Sequence, residues 1–141
     1  MSDTTPPAKN KVVMFVDDNT IDNFINQKIV INSKFSEYVY VHTNAQSALE
    51  FFKNIDELKT EEGYSLLPSH VFLDINMPIS DGYYFLEEFD KLFSKKITSQ
   101  VKIVMLTSSL NPNDEVKSTS YKSVVSYLLK PLTKDSLVNM V

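Results

Sequence analysis

Four short apolar runs punctuate the chain: VVMFV at 12–16, VFL at 71–73, IVML at 103–106 and VVSYLL at 124–129. Most are continuous rather than alternating, which is how a strand reads when helices cover both faces of its sheet. A weaker run, YVYVH at 38–42, predicts a further strand nearer a sheet edge. Between the runs the period becomes helical. Ile21, Phe24, Ile25 and Ile29 fall at helical spacing, as do Ala45, Ala48, Leu49 and Phe52, and again Phe85, Leu86, Phe89, Leu92 and Phe93. Asn111-Pro112 reads as an N-cap followed by proline at the first helical position, opening a fourth helix of few apolar residues that runs to about Lys122. Pro131-Leu132-Thr133 offers a cap for a last helix starting near Thr133. The segment from about Asn54 to Ser69 is longer than an ordinary connection and carries Glu57, Lys59, Glu61, Glu62 and Gly63. It reads as a helix extension followed by a solvated loop.

Strand then helix, five times over, predicts an α/β fold with a parallel sheet and right-handed crossovers. The length of 141 residues suits one domain, and 43% hydrophobic residues, with nine Phe and seven Tyr, suffice for a core. We expect a loose leader over residues 1–10 and the domain over 11–141, because MSDTTPPAKNK is polar and carries two prolines. That N-terminus lacks the apolar stretch of a signal peptide, and no run approaches the roughly 20 apolar residues of a membrane helix. A soluble, cytoplasmic domain is therefore expected. Fourteen basic against 18 acidic side chains give a net charge of -4, which argues against nucleic acid as a direct partner. The absence of cysteine removes disulfides, thiolate metal sites and cysteine nucleophiles together.

The chemically suggestive residues sit where strands end. Asp17 and Asp18 close the first apolar run, Asp74 closes VFL, Thr107-Ser108 closes IVML, and Lys130 closes VVSYLL. Taken singly, each has a plainer use. The stretch Asp17-Asp18-Asn19-Thr20 can cap the following helix, Asp74 can bond its own turn ahead of Pro78, Thr107-Ser108-Ser109 can be loop polarity, and Lys130 a surface lysine. His42 and His70 have no partner at metal-ligand spacing and read as structural. In open α/β sheets, however, ligands bind outside the carboxyl ends of the strands, at the point where strand order reverses. Carboxylates converging there repel one another unless a cation joins them. An all-oxygen donor set of this size suits Mg²⁺ that keeps several waters. A lysine and a hydroxyl beside it suit a phosphoryl group, and aspartate is a known nucleophile that forms acyl phosphates.

From Lys11 to its end the chain resembles the receiver domain of two-component response regulators. The resemblance rests on FVDDN, LDINMPISDG, MLTSS and YLLKP, four motifs in the right order at the right strand ends. It implies a flavodoxin-like, doubly wound, five-stranded parallel sheet in the order 2-1-3-4-5, with helices on both faces. It implies that Asp74 accepts phosphate from a sensor histidine kinase or phosphotransfer protein. Asp17 and Asp18 would be the metal pair, Asp18 the direct ligand and Asp17 partly through water, with the backbone carbonyl of Asn76 as a further ligand. Mg²⁺, or Mn²⁺ in its place, would be the cofactor. Thr107 would bond the phosphoryl group, Lys130 would pair with a phosphoryl oxygen, and Tyr127 would be the aromatic whose rotamer follows Thr107. The Lys130-Pro131 bond is often cis in such domains. The implied output is contact with a downstream protein effector, or a homodimer, through the fourth helix, fifth strand and fifth helix. The sequence departs from the family at Lys122-Ser123-Val124-Val125, where a small Gly-Ala pair is usual. Its long 54–69 segment and TSSLNP loop look most like stand-alone receivers.

Three rival classes fit less well. An Asp-dependent phosphatase or phosphotransferase needs a second acid two residues after the nucleophile, and that position holds Asn76. A silent interaction module has no use for the complete set Asp17, Asp18, Asp74, Thr107 and Lys130. A nucleotide site needs a glycine-rich phosphate cradle, and the only glycines are Gly63 and Gly82. The chain is accordingly expected not to be an enzyme beyond the phosphorylation and dephosphorylation of its own aspartate.

Overall fold

The continuous apolar runs do become strands covered on both faces. The structure, a computed structural model, describes residues 7–77 and 81–140. Residues 1–6 of the expected leader, Pro78-Ile79-Ser80 of the LDINMPISDG motif, and Val141 lie outside the described residues. Strands β1 (Asn10–Val16), β2 (Ser36–His42), β3 (His70–Leu73), β4 (Lys102–Thr107) and β5 (Val124–Leu129) form one parallel sheet in the order β2-β1-β3-β4-β5. The helices are α1 (Thr20–Asn32), α2 (Ala45–Leu58), α3 (Glu61–Tyr64), α4 (Gly82–Leu92), α5 (Lys95–Thr98), α6 (Pro112–Thr119) and α7 (Lys134–Asn139). This is the flavodoxin-like, doubly wound arrangement, and YVYVH is an edge strand as its weaker pattern suggests. β1 takes in Asn10, the last residue of the expected leader, whose side-chain amide donates to Phe35 O at 3.0 Å.

Alternation along the central strands builds two cores. Met14, Val16, Val71, Leu73, Ile103 and Met105 face α2, α4 and α5. Val13, Phe15, Phe72, Val104 and Leu106 face α1 and α7. The first core is riveted by aromatics, with Phe52 edge-on to Phe89 at 5.2 Å and Phe85 stacked on Phe89 at 5.5 Å. The second centres on Phe15 stacked over Phe72 at 4.8 Å. Fully burying such side chains stabilises by roughly 1.5–3 kcal/mol each, so the strands that carry the polar ends are the most firmly held part of the fold.

The structure corrects the sequence expectations in four places. The stripe Ile21, Phe24, Ile25 marks α1 but faces solvent, with Ile21 70% exposed. The buried side of α1 is Asn23, Asn26 and Val30. The physical reason lies at the helix start, where the side-chain amide of Asn23 donates to Asp17 O at 2.8 Å. There the helix packs on a polar strand end, which selects an amide over an alkyl group. The 54–69 segment is not a solvated loop. α2 extends to Leu58, Lys59 turns the chain through the left-handed region at φ 52°, Thr60 caps α3, and Leu67 enters the core. The short α5 went unread, and α6 stops at Thr119 rather than Lys122, its cap on Ser120. At the departure from the family pattern, the β4–β5 register shifts: Ile103 pairs with Val124 but Val104 with Ser126, leaving Val125 as the inserted residue. The Lys130-Pro131 bond is cis.

His70 is buried and structural. Its ring lies against Phe35 and Phe72, and Nδ1 meets Ser69 Oγ at 2.8 Å. Burial pushes its imidazole down to about 4, with the positive charges of Lys102 and Lys9 adding to the effect. A folded-state value below the unfolded 6.5 means that the unfolded chain takes the proton first. The contribution of neutral His70 is then complete above pH 6.5 and lost as pH falls toward 4. Between pH 7 and pH 5 this amounts to about 2 kcal/mol. Urea unfolding at the two pH values should show a loss larger by about that amount in the native chain than in His70→Gln. Equal losses would refute the assignment.

Candidate functional site

The parallel ladder runs one residue past the strands and so fixes the polar ends against each other. Asp74 N–H donates to Val16 O at 3.1 Å, Asp17 N–H to His42 O at 3.0 Å, and Lys130 N–H to Thr107 O at 2.9 Å. Asp17 and Asp74 are thereby neighbours at the mouth of β1 and β3, where the strand order reverses. Both are buried, while Asp18 is exposed. One carboxylate oxygen from each of Asp17, Asp18 and Asp74 lies within 4.8 Å of the others.

Lys130 reaches this cluster from the end of β5. Its Nζ lies 2.8 Å from Asp17 Oδ2, 3.0 Å from Asp22 Oδ2 and 3.1 Å from Asp74 Oδ2. Burial works against the charge on Lys130, but the hydrogen bonds to Asp17 and Asp22 and the charge of Asp74 outweigh it and hold the ammonium well above the usual lysine range. Asp17 moves the other way for a carboxylate in an ion pair. Its burial raises it, and the charge of Asp74 adds to this, against the bonds from Lys130 and the Asn19 N–H. One ammonium does not neutralise these carboxylates. An all-oxygen set with a surplus of negative charge fits a hard divalent cation such as Mg²⁺ or Mn²⁺, and Asp17, Asp18 and Asp74 are the residues that would hold it.

Asp74 Oδ1 accepts the Asn76 N–H at 3.3 Å, so the backbone after the carboxylate folds back over it. Asn76 itself is exposed. Asp81 caps α4 by accepting from Tyr84 N at 3.0 Å, and Gly82 N–H donates to Ile75 O at 2.9 Å. Thr107 is fully buried at the end of β4, and its Oγ1 accepts the Ser109 N–H at 3.2 Å. Ser108 is exposed beside it. Tyr127 does not touch the acid cluster. Its half-buried ring packs against the aromatic core and its hydroxyl donates to Ser109 O at 3.2 Å.

The residues brought together in the first shell around Asp74 are thus Asp17, Asp18 and Lys130 as expected, with Asp22 as an addition. The sequence held a signal for it, because Asp22 follows Asp18 by four residues, one helical turn inside α1. A second addition is the network behind Thr107. The hydroxyls of Ser109 and Tyr83 both donate to Asp114, at 2.5 and 2.7 Å, and Lys117 lies over the Tyr83 ring at 3.9 Å. These contacts cross between α4, the β4–α6 loop and α6, and nothing in their spacing along the chain announces them.

A doubly wound 2-1-3-4-5 sheet with acidic β1 and β3 mouths and a lysine after β5 defines the receiver class of signalling domains. The chain belongs to the response regulator receiver domain family, whose family model matches residues 13–141. It is 28% identical over 142 residues to the response regulator Rcp1 of Synechocystis sp. (strain ATCC 27184 / PCC 6803 / Kazusa), covering 100% of this chain and 89% of that one. Among solved structures it resembles a two component response regulator from Cytophaga hutchinsonii, with 28% identity, 94% of each chain covered and a TM-score of 0.82. It also resembles the Mn²⁺-bound form of Rcp1, with 25% identity, 92% of this chain and 88% of that chain covered, and a TM-score of 0.68. Receiver domains take phosphate from histidine kinases and bind a divalent metal. Among the described residues, no helix is long and apolar enough to cross a membrane.

Gly82 makes the close turn around Asp74 feasible. A Cβ there would stand 2.5 Å from Asp74 O and 3.0 Å from Ile75 Cα, both backbone atoms that cannot rotate away. Gly82→Ala should therefore lower stability by about 2 kcal/mol in urea unfolding, against the slight gain that alanine brings to an unobstructed helix position. An unchanged midpoint would show that the loop has room to move.

Proposed function

We propose that the chain is a phosphorylation-controlled signalling switch in which Asp74 accepts a phosphoryl group from a phosphohistidine of a sensor kinase or phosphotransfer protein. The observation that carries this is the contact of Lys130 with Asp74 inside a cluster of carboxylates at the strand mouths. A carboxylate oxygen of Asp74 attacks phosphorus, the phosphorus–nitrogen bond of the donor breaks, and its electron pair returns to the imidazole, which takes up a proton. Asp17, Asp18, Asp74 and the carbonyl of Asn76 would hold Mg²⁺, which supplies neutralisation of the charge gathered on the transferring oxygens. Lys130 pairs with one phosphoryl oxygen and Thr107 donates its hydroxyl proton to another.

The new phosphoryl group adds close to two negative charges beneath Thr107. Drawing Thr107 toward Asp74 pulls on Ser109, whose N–H bonds Thr107 Oγ1 and whose carbonyl holds Tyr127. Phosphorylation then selects among arrangements of the α6, β5 and α7 surface that already exist. That surface supports output by protein contact, including a homodimer, because it exposes apolar side chains: Leu110 82%, Val116 70%, Val125 54% and Leu129 49%. On this reading the chain is not an enzyme for other substrates. Asn76 supports this too, since its amide supplies no proton to a leaving group.

Intact mass after treatment with acetyl phosphate tests the core of the proposal. A phosphate-sized gain should appear with Mg²⁺, fail without it, and be absent in Asp74→Asn. Uptake by Asp74→Asn at the native rate would sink the assignment.

A further inference from the structure

Lys130 has three ammonium hydrogens and meets three acceptors from three elements. Asp17 follows β1, Asp74 follows β3, and Asp22 lies in the first turn of α1, 108 residues away in sequence. Two of these acceptors have other employment on the function proposed above. Asp17 and Asp74 belong to the cluster whose oxygens lie within 4.8 Å of one another, and Asp74 becomes an acyl phosphate; Asp22 is outside that cluster. It is thus the one partner of Lys130 that neither metal binding nor phosphorylation consumes.

Resting on that reading, we propose that Asp22 is a positioning residue. It tethers the Lys130 ammonium at the mouth of the site, with its remaining hydrogens directed to where the phosphoryl group arrives. The local structure suits the task. Asp22 sits on a helix turn fixed by its own capping bond, since Asp22 N donates to Asn19 Oδ1 at 3.0 Å. Asn19 is itself tied to the site through its N–H on Asp17 Oδ1 at 2.9 Å. The helix beneath is anchored by Asn23 on Asp17 O at 2.8 Å. Asp22 therefore moves with the strand end and holds the lysine to it. Lys130 is a long, flexible side chain, 18% exposed, and free of this contact it would sample solvent. Asp22 at 35% exposure remains hydrated enough to stay charged without a metal, so the tether carries no burial penalty comparable to that of Asp17.

Three measurements on the full chain decide this. The first is the rate of phosphorylation by acetyl phosphate at saturating Mg²⁺, read by intact mass. Asp22→Ala should slow it about tenfold, and Asp22→Asn, which keeps an acceptor oxygen, by less than about threefold. The second is the ammonium ¹⁵N–¹H resonance of Lys130, assigned with Lys130→Arg. It should be a slowly exchanging signal in the native chain and in Asp22→Asn, and broaden away in Asp22→Ala. The third is Mg²⁺ affinity by calorimetry, which should fall less than about fivefold in Asp22→Ala. An unchanged rate or signal in Asp22→Ala overturns the proposal. So does faster phosphorylation of Asp22→Asn, which would make Asp22 a source of repulsion toward the anionic donor. A larger loss of Mg²⁺ affinity overturns it too, by making Asp22 a holder of the metal. If the native chain takes up no phosphate, the switch reading itself falls, a result distinct from all of these.

Discussion

Like charges crowded at the mouth of two buried strands set the terms for the rest of the structure. Two unit charges 4 Å apart repel by about 4 kcal/mol at an effective dielectric of 20. Asp17 and Asp74 are both buried, and Asp18 stands beside them. Such a site persists only where the chain cannot relax by moving the charges apart. The ladder bond from Asp74 N–H to Val16 O supplies that constraint, and the stacked Phe15 and Phe72 hold the two strands from below. Lys130 offsets part of the repulsion, and the rise of Asp17 through burial records the part left over. The residual negative charge is what makes the mouth receptive to a divalent cation.

The features that sequence reveals are those written in local pattern. Apolar runs at 12–16, 71–73, 103–106 and 124–129 mark strands because a doubly covered strand admits little else, and the polar residue that ends each run marks the site edge. Local pattern misleads where packing is polar. α1 turns Asn23 and Asn26 inward and Phe24 outward because its partner surface is a strand end rich in backbone donors and acceptors. Hydrophobic spacing cannot report that. Segment 54–69 misleads for the opposite reason: its charges sit on α3 and its caps, while the single buried Leu67 does the packing. Asp22 belongs to the site through Lys130, and Asp114 to the switch loop through Ser109, by contacts that depend on how helices land on the sheet.

The two sides of the sheet are anchored unequally. α2 and α4 lock into the aromatic core through Phe52, Phe85 and Phe89. α6 buries only Ser118 and joins its neighbour through the polar chain Ser109–Asp114–Tyr83. Hydrogen bonds at a partly wet surface exchange partners at small net free-energy change, whereas a packed aromatic cluster does not. Local stability should therefore be lowest where the exposed apolar residues of α6 and its loop lie.

That inequality gives the proposed switch its direction. A pull on Thr107 meets a rigid strand on one side and, on the other, a loop whose Ser109 is bonded through its N–H, its carbonyl and its hydroxyl. The three bonds lead to Thr107, Tyr127 and Asp114, so the loop cannot shift for one without straining the other two. Displacement must pass outward, into α6 and the β5 edge, rather than into the sheet. The charge at Asp74 and the exposed Val116 and Leu129 are then the two ends of one mechanical path: the strands resist, and the polar network yields.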